Sequence, residues 1–397
     1  MPSVETLTGS SKISSDLISE KVKIRWNEAP SIMGGNNKKI QFKLPKLVGK
    51  SIDMSSISID FRLEASAATE LDSWSTDSLL SRVRFVANST VLLDIDQYSL
   101  YGTTTTHAEI NQNFLSKHQR MLTANFKDEE EATNFSTQSR RVQIKFPEGC
   151  LLNCSALLPL DRLAGFCTLE LYLADPNKIL FSRTAVTNPW YKMTVVQFLA
   201  TYLGSPSLTN YWSSAPVSFH VENISHRFQN MRDTTNILRI PSAFTSLRSM
   251  IILLRKQARV DAGVDVAKRS QSFIVWDNIA SIQVFSNNRP VFSEELTYLG
   301  TELYGETKKV YKHIDKSTYF TGPYDNGIPI AISFDSAPVQ FHSQITSGIQ
   351  TKAHVSDLYV NLKYNSGIEH ATNMADVFLV NDSKIFVNSN NNLEIEY

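Results

Sequence analysis

The sequence predicts a fold made mainly of antiparallel β-sheet and divided into two similar sandwiches. Apolar and polar residues alternate along many short segments, and turns rich in Gly, Asn and Pro separate these segments. Alternation with a period of two places one face of a strand in a core and the other in solvent. The segments of the first half also recur in the same order in the second half, which indicates an internal duplication.

The alternating segments can be followed along the chain. They occupy residues 40–44, 57–63, 142–146, 169–173, 282–284, 328–332 and 358–362. Turn sequences such as Pro147-Glu148-Gly149 lie between them. The apolar phase of each segment predicts which side chains form the cores. We expect the following residues to point inward: Phe61, Phe85, Ile144, Leu169, Leu171, Val284, Ile332 and Val360.

A few helices are predicted between the strands. Residues 11–23 place apolar side chains at a helical spacing, with charged residues elsewhere. Residues 94–102 and 293–303 begin with acidic side chains and end near a glycine, which is typical of short helices. The apolar residues 191–203 end just before Gly204 and also predict a helix, whereas the polar residues 111–139 predict a long surface loop.

The internal duplication is clearest where residues 82–98 match residues 282–298. Phe85, Asn88 and Tyr98 recur as Phe285, Asn288 and Tyr298, each 200 residues later. Both copies predict a strand, an Asn-containing turn, a short strand and the acidic start of a helix. Later segments match at spacings of 188 and 189 residues. We therefore expect an N-terminal arm at 1–37, a first domain at 38–235 and a second domain at 236–397.

Composition limits the classes of function. The 397 residues contain 39 Lys and Arg against 39 Asp and Glu, and 42% are hydrophobic. Zero net charge argues against binding nucleic acid through overall charge. No apolar run is long enough to span a bilayer. The polar, Ser-rich N-terminus lacks the apolar region of a secretory signal, so we expect no export through a signal peptide.

The N-terminal segment is the one locally basic stretch of the chain. Residues 1–50 contain nine Lys or Arg and four Asp or Glu, a local charge of +5. One interpretation is an amphipathic arm that lies on an anionic lipid layer or on packaged genome. The other is a tail that packs against a neighbouring subunit. The residues expected to form this interaction arm are Lys12, Ile13, Leu17, Ile18, Lys21, Lys23 and Arg25.

Signatures of catalysis are missing from the sequence. It has no nucleophile elbow, phosphate-binding loop, zinc-protease helix or dinucleotide fingerprint. His220 and His226 are six residues apart, too far for the closely spaced ligands of a metal-binding jelly roll. The three cysteines are too few for a disulfide framework and are expected to be buried thiols. We expect no catalytic residue, no metal, no cofactor and no enzymatic activity.

Other segments resemble a known protein family. The stretch LLPLDRL at residues 157–163 leads into the alternating stretch CTLELYLA at 167–174, and GIQT at 348–351 takes the equivalent place in the second half. With its length and duplication, the chain resembles the major capsid proteins of the adenovirus lineage, which includes tailless membrane-containing bacteriophages, Polinton-type elements and virophages. The resemblance covers nearly the whole chain and implies an all-β fold of two tandem eight-stranded antiparallel jelly rolls, a double jelly roll, with a few short helices.

The resemblance also implies a function. It indicates a viral major capsid protein that forms homotrimers of pseudo-hexameric outline and tiles an icosahedral shell. The implied partners are further copies of the chain, neighbouring capsomers, penton and minor capsid proteins, and an internal membrane or the genome through the arm. The implied location is the virion capsid, assembled inside the host cell.

A second class of function stays open at this point. A carbohydrate- or receptor-binding β-sandwich protein, such as a viral spike or a lectin, has the same alternation and aromatic content. An unrecognised sandwich enzyme is a third alternative. The size of the assembly discriminates between the first two, because a capsid protein forms stable trimers or shells whereas a lectin binds a sugar column as a small oligomer.

Overall fold

The computed structural model confirms a fold dominated by antiparallel strands. It describes residues 17–66, 69–71, 75–109, 140–181, 186–214, 218–231, 233–240, 243–256, 279–297, 301–311, 329–334, 348–351, 358–365, 373–388 and 390–396. Lys12, Ile13 and the predicted loop at 111–139 lie outside these residues.

The strands of the first half are β1 (Ile18–Arg25), β2 (Ser31–Met33), β3 (Lys39–Lys43), β4 (Lys50–Ala65), β5 (Glu70–Leu71), β6 (Leu80–Ala87), β7 (Thr90–Asp96), β8 (Arg140–Ile144), β9 (Leu157–Leu158), β10 (Cys167–Leu173), β11 (Leu180–Phe181) and β12 (Tyr191–Gly204). Those of the second half are β13 (Ser218–Met231), β14 (Thr235–Ile240), β15 (Leu247–Lys256), β16 (Ile279–Ser286), β17 (Arg289–Pro290), β18 (Leu296–Thr297), β19 (Ile330–Ser333), β20 (Leu358–Tyr364), β21 (Asn373–Val387) and β22 (Leu393–Glu396). The helices are α1 (Tyr98–Glu109), α2 (Pro176–Ile179), α3 (Pro206–Ser214) and α4 (Thr301–Val310), and 3₁₀ turns cover Thr76–Leu79, Leu151–Asn153 and Leu160–Arg162.

Each half is a sandwich of two sheets. In the first half, one sheet follows the order β1-β12-β4-β8 and the other follows β3-β10-β6-β7. Phe42 of β3 and Phe198 of β12 are both buried, with ring centroids 5.9 Å apart, so the two sheets pack face to face. In the second half, the orders are β13-β21-β15-β19 and β14-β20-β16-β17.

The two strand orders are the same once equivalent strands are matched. The strands β1, β3, β4, β6, β7, β8, β10 and β12 take the places of β13, β14, β15, β16, β17, β19, β20 and β21. The hairpin turns after β6 and β16 are both two residues long and both contain Asn with positive φ, at Asn88 (55°) in the first turn and at Asn287 and Asn288 (52° and 59°) in the second. Asn tolerates this region better than most residues. The predicted duplication is therefore confirmed at the level of topology.

One detail of the sequence match is wrong by a single residue. Leu169 pairs with Phe85, and Leu358, its match in the second half, pairs with Ser286 rather than with Phe285. Phe85 is fully buried, whereas Phe285 is half-buried and stacks on Tyr359 with ring centroids 4.8 Å apart. Successive side chains of a strand point to opposite faces, so Phe85 and Phe285 do not occupy equivalent positions.

The equivalent sheets β3-β10-β6-β7 and β14-β20-β16-β17 have different side chains on their outer faces. In the first half, Glu170 accepts hydrogen bonds from Lys39 Nζ at 2.9 Å and from Arg84 Nη1 at 3.1 Å. Burial acts to raise the pKa of Glu170, but the hydrogen bond and charge of Lys39 and the charge of Arg84 hold it below its ordinary value. In the second half, the stacked pair Phe285 and Tyr359 takes the place of Arg84 and Glu170.

Two helix predictions are wrong. Residues 18–23 of the predicted N-terminal helix belong instead to the strand β1, which pairs antiparallel with β12 from Ile18–Gly204 to Arg25–Gln197. The predicted helix at 191–203 is β12 itself, which lies between β1 and β4. The helix expected at 94–102 is present but begins later, as α1, because Asp94 and Asp96 still belong to β7. Among the described residues of the helix expected at 293–303, only 301–303 are helical, at the start of α4, and Leu296–Thr297 form β18 instead.

The sheet pairing also bears on the division into domains. β13 pairs along its length with β21 of the second half, although it precedes the expected boundary at 235/236. β1 pairs into the first half, although it lies within the expected arm at 1–37. These pairings favour a first domain that begins with β1, a second that begins with β13, and a boundary between Gly204 and Ser218.

The expected core is confirmed. All eight side chains named from the apolar phases are buried, each with an exposed fraction of 1% or less. They belong to one continuous cluster that extends through both halves. The strand registers inferred from alternation are therefore correct at these positions.

Candidate assembly surface

The two halves meet where β13 packs against β7. His226 of β13 lies between two carboxylates, with Nε2 2.8 Å from Asp376 Oδ1 of β21 and Nδ1 3.9 Å from Asp96 Oδ2 of β7. A side chain of the second half thus bridges an acidic residue of each half. The contact joins the edge strand of a sheet in one half to an edge strand in the other.

A buried ion pair lies beneath this contact. Arg255 of β15 donates from Nε to Asp376 Oδ2 at 2.8 Å, and its Nη2 is 2.6 Å from the same oxygen. The side chains of Arg255 and Asp376 are 8% and 1% exposed. Buried charges are tolerated only when paired and hydrogen-bonded, so each of these groups depends on the other.

Aromatic rings complete the same contact. The ring of Phe378, on β21, has its centroid 4.9 Å from that of His226 and 5.3 Å from that of Tyr101 on α1. Tyr101 belongs to the first half, so this stack crosses between the halves. The sheet is consequently covered by β7 and α1 around His226 and Phe378.

Backbone hydrogen bonds join the halves at two further places. The N–H of Glu222 on β13 donates to the carbonyl of Gly149 at 2.9 Å, and that of Ala164 donates to the carbonyl of Asn391 at 2.8 Å. Arg248 of β15 donates to the carboxylate of Glu222. Hydrogen bonds between main chains leave little freedom for sliding, which indicates a fixed junction.

Gly149 is a position at which a side chain should disrupt this junction. Its φ is +88°, and an added Cβ would lie 2.5 Å from Glu222 Oε2. We expect Gly149→Ala to lower the free energy of unfolding by about 1–3 kcal/mol, measured by chemical denaturation. Gly305→Ala is the control, because Gly305 lies in α4 with open space around its Cβ position. That substitution should be neutral or slightly stabilising, and an equal loss in both variants would contradict the assignment.

The described part of the N-terminal arm presents a basic edge. Lys21, Lys23 and Arg25 alternate along β1 and are exposed, whereas the intervening Val22 and Ile24 pack against the core. The other two described arm residues are also exposed, Leu17 to 43% and Ile18 to 61%. The structure therefore places four of the seven expected arm residues in the edge strand β1 instead of a helix, with Leu17 immediately before it.

The described residues contain no cluster of reactive or metal-binding side chains. Cys150, Cys154 and Cys167 are buried free thiols, as expected. Burial raises the pKa of Cys154 and Cys167 to about 12, so these thiols stay protonated at neutral pH. Within the described ranges, no three His, Cys, Asp or Glu side chains are placed to hold a metal ion. The helices in the same ranges include none long and apolar enough to cross a membrane.

Neither a protein-family model nor a curated protein sequence matches the chain. Solved structures match it over nearly its whole length. The PBCV-1 virus capsid has a TM-score of 0.67 at 11% identity, with 97% of this chain and 98% of that chain covered. The Faustovirus major capsid protein has a TM-score of 0.61 at 10% identity, covering 94% and 91%. A chain of the Sputnik virophage has a TM-score of 0.59 at 9% identity, covering 95% and 88%.

The chain has the double jelly-roll fold. Both jelly rolls contribute to the match, since the alignments span the first half, the junction and the second half alike. The resemblance drawn from residues 157–174 and 348–351 is confirmed at the level of fold.

Sequence reasoning missed the charged residues at the contact between the two jelly rolls. His226, Arg255 and Asp376 are far apart in the chain and were not singled out for this contact. One signal was present, because Asp376 is a lone carboxylate in the apolar stretch MADVFLV at 374–380. A charge inside a buried strand requires a partner, although its identity depends on the tertiary fold.

Proposed function

We propose that this chain is a viral major capsid protein that assembles with copies of itself into homotrimers and then into a shell. The observation that carries the proposal is the double jelly-roll fold, matched from end to end by proteins whose names place them in virus capsids. The proposal assigns a structural role, with no catalytic step and no cofactor.

The contact between the two jelly rolls supports self-association. It is heterologous, because β7 of one roll meets β13 of the other and these strands are not equivalent. The equivalents of these strands, β17 in the second roll and β1 in the first, are edge strands that take no part in this contact. A heterologous contact that repeats between copies closes a ring when the rotation permits. Three copies would supply six similar rolls, which gives the pseudo-hexameric outline.

Further partners belong to the same proposal. Neighbouring capsomers, penton and minor capsid proteins would contact the outer surfaces of the trimer. The segment before β1, which contains Lys12 and Ile13, would contact a neighbouring subunit, an internal membrane or the genome. The protein would then reside in the virion capsid after assembly inside the host cell.

Measuring the mass of the purified protein in solution tests the proposal. Light scattering after size-exclusion chromatography should give three times the chain mass of 44.7 kDa, and negative-stain images should show particles of hexagonal outline. A monomer at all concentrations would contradict the proposal. Retention on a sugar column as a monomer or dimer would instead support the carbohydrate-binding alternative.

Two truncations separate the arm from the fold. Deleting residues 1–16 should leave the melting temperature and the trimer unchanged but prevent closed shells. Deleting residues 1–25 removes β1 and leaves the edge of β12 unpaired, so the melting temperature should fall by at least about 5 °C. Scanning calorimetry and electron microscopy check the two results. Closed shells from the shorter truncation would show that residues 1–16 are not needed for assembly.

A further inference from the structure

We infer that the basic edge of β1 in one copy binds the acidic turn before β18 in the next copy, so that Lys23 and Arg25 face Glu294 and Glu295. This contact would repeat, between chains, the one that His226 makes with Asp96 within the chain. The inference rests on the proposed function, since it needs a second copy as the partner. It adds the residues through which successive copies recognise one another.

The strand registers show that Arg25 and His226 are equivalent. Ile144 and Ile332, matched from the sequence, pair with Ile59 and Met250. These in turn pair with Phe198 of β12 and Leu379 of β21. The next strands place Ile24 opposite Phe198 and Ser225 opposite Leu379. The residues that follow are Arg25 and His226, so each occupies the same place on its edge strand.

The same procedure relates Asp96 to Glu295. Tyr172 and Asn361, which are equivalent, pair with Arg82 and Gln283. Arg82 pairs with Asp96. In the second half, Ser281 pairs with Thr297 and Ile282 with Leu296, so the next step of this register brings Glu295 opposite Gln283. Each roll therefore carries an acidic side chain at the equivalent place beside its edge strand.

The charges at the two free ends are complementary. Lys21, Lys23 and Arg25 are exposed and make no ion pair with any other described residue, and the same holds for Glu294. Glu295 is exposed as well and is held by Lys363 and by Ser281, whose hydroxyl donates to Glu295 Oε2 at 2.7 Å. Glu295 is therefore already paired within the chain, whereas Glu294 is available to a cation of another chain. Opposite charges at matching places set the register of an association and steer it.

The contact that covers β13 within the chain indicates which surface binds the equivalent strand β1. The edge strand β13 is covered by a roll of the same fold, through β7 and α1. Its equivalent β1 has an exposed edge, with Ile18 61% exposed. An exposed sheet edge is a ready site for pairing or packing with another chain. A second copy of this protein presents β17, β18 and α4, which correspond to the elements that cover β13.

Charge reversal tests the contact. In the double variant Lys23→Glu/Arg25→Glu, like charges would face each other, and the same is true of Glu294→Lys. We expect either change to raise the concentration at which trimers half-dissociate by at least about tenfold. Combining the two changes in one chain should restore assembly to within about threefold of the original. Lys178→Glu, an exposed lysine in α2, is the matched control and should have no effect.

Cross-linking provides a second measurement that does not depend on affinity. The double variant Arg25→Cys/Glu295→Cys, at the positions equivalent to His226 and Asp96, should form disulfide-linked dimers and trimers under mild oxidation, seen on a non-reducing denaturing gel. The native cysteines are buried and should not react. A matched pair with one cysteine moved to Lys178 should give no cross-linked species.

The outcomes distinguish the inference from the proposed function. Trimers of the original protein that withstand both charge reversals and form no cross-link would overturn the inference and leave the capsid proposal intact. An original protein that never exceeds a monomer would overturn both. Calorimetry on each variant shows whether the fold is retained, and the cross-link reports on the contact even where a reversal destabilises the chain.

Discussion

Replacing Asp376 with alanine is expected to lower the free energy of unfolding by about 3–5 kcal/mol, the largest effect we predict for an ionic group in this protein. The substitution leaves the guanidinium of Arg255 without its partner in a site where that side chain is 8% exposed. It also removes the acceptor 2.8 Å from His226 Nε2. Taking an unpaired charge out of water is costly.

Equilibrium denaturation of two comparison variants shows whether the burial of the pair is responsible. Lys363→Ala removes an ion pair with Glu295 in which the two side chains are 41% and 43% exposed. Solvent screens such a pair, so its loss should cost less than about 1 kcal/mol. The double variant Asp376→Leu/Arg255→Met should cost less than Asp376→Ala, because it leaves no buried charge. A loss of less than about 1 kcal/mol for Asp376→Ala would mean that water reaches the pair.

Replacing Leu171 with alanine should lower the free energy of unfolding by about 2–5 kcal/mol. Leu171 is fully buried at the centre of its sheet, paired with Ile40 of β3 on one side and with Val83 of β6 on the other. The substitution removes apolar contacts and leaves a cavity that two fixed neighbouring strands cannot fill.

Val48→Ala is the control for this core substitution. Val48 is 91% exposed, so its truncation should change the free energy of unfolding by less than about 0.5 kcal/mol. Chemical denaturation of the three proteins gives both differences. Similar values for the two variants would show that the core of the first roll is not closely packed at Leu171.

The parts of the fold that could be predicted from sequence are those in which alternation is regular. The segment CTLELYL is buried at every second residue from Cys167 to Leu173, and it was assigned to the correct strand and face. The same holds for β20, whose burial alternates from Leu358 to Tyr364. Period-two patterning fixes the face of each residue when one side of a strand meets the core.

β12 was mistaken for a helix because its alternation is interrupted. Its register against β4 shifts between Thr194 and Gln197, and Val195 has a φ of +51°. The irregularity moves the apolar phase from Tyr191 and Met193 to Val196 and Phe198. In the sequence this change of phase produces adjacent apolar residues, which imitate the period of a helix.

The sequence predicted the charges of the candidate assembly surface but not the position of its residues in the fold. The basic character of Lys21, Lys23 and Arg25 was evident from composition, but their place on an edge strand required the pairing of β1 with β12. The acidic Glu294 and Glu295 were assigned to a helix start. Their relation to Asp96 appears only when the two rolls are compared strand by strand, since one sequence match was out of step by a residue.

The outer faces of the two equivalent sheets differ, with an Arg84–Glu170 ion pair in one roll and a Phe285–Tyr359 stack in the other. A ring of six identical single rolls would repeat every substitution at all six positions. Fusion of two rolls in one chain removes that constraint, so that each copy can diverge alone. In the proposed trimer, a ligand or antibody that recognises the aromatic stack would therefore bind three sites per ring and leave the other three empty. A measured ratio of three bound molecules per six rolls would therefore show that the two rolls of each chain are no longer equivalent.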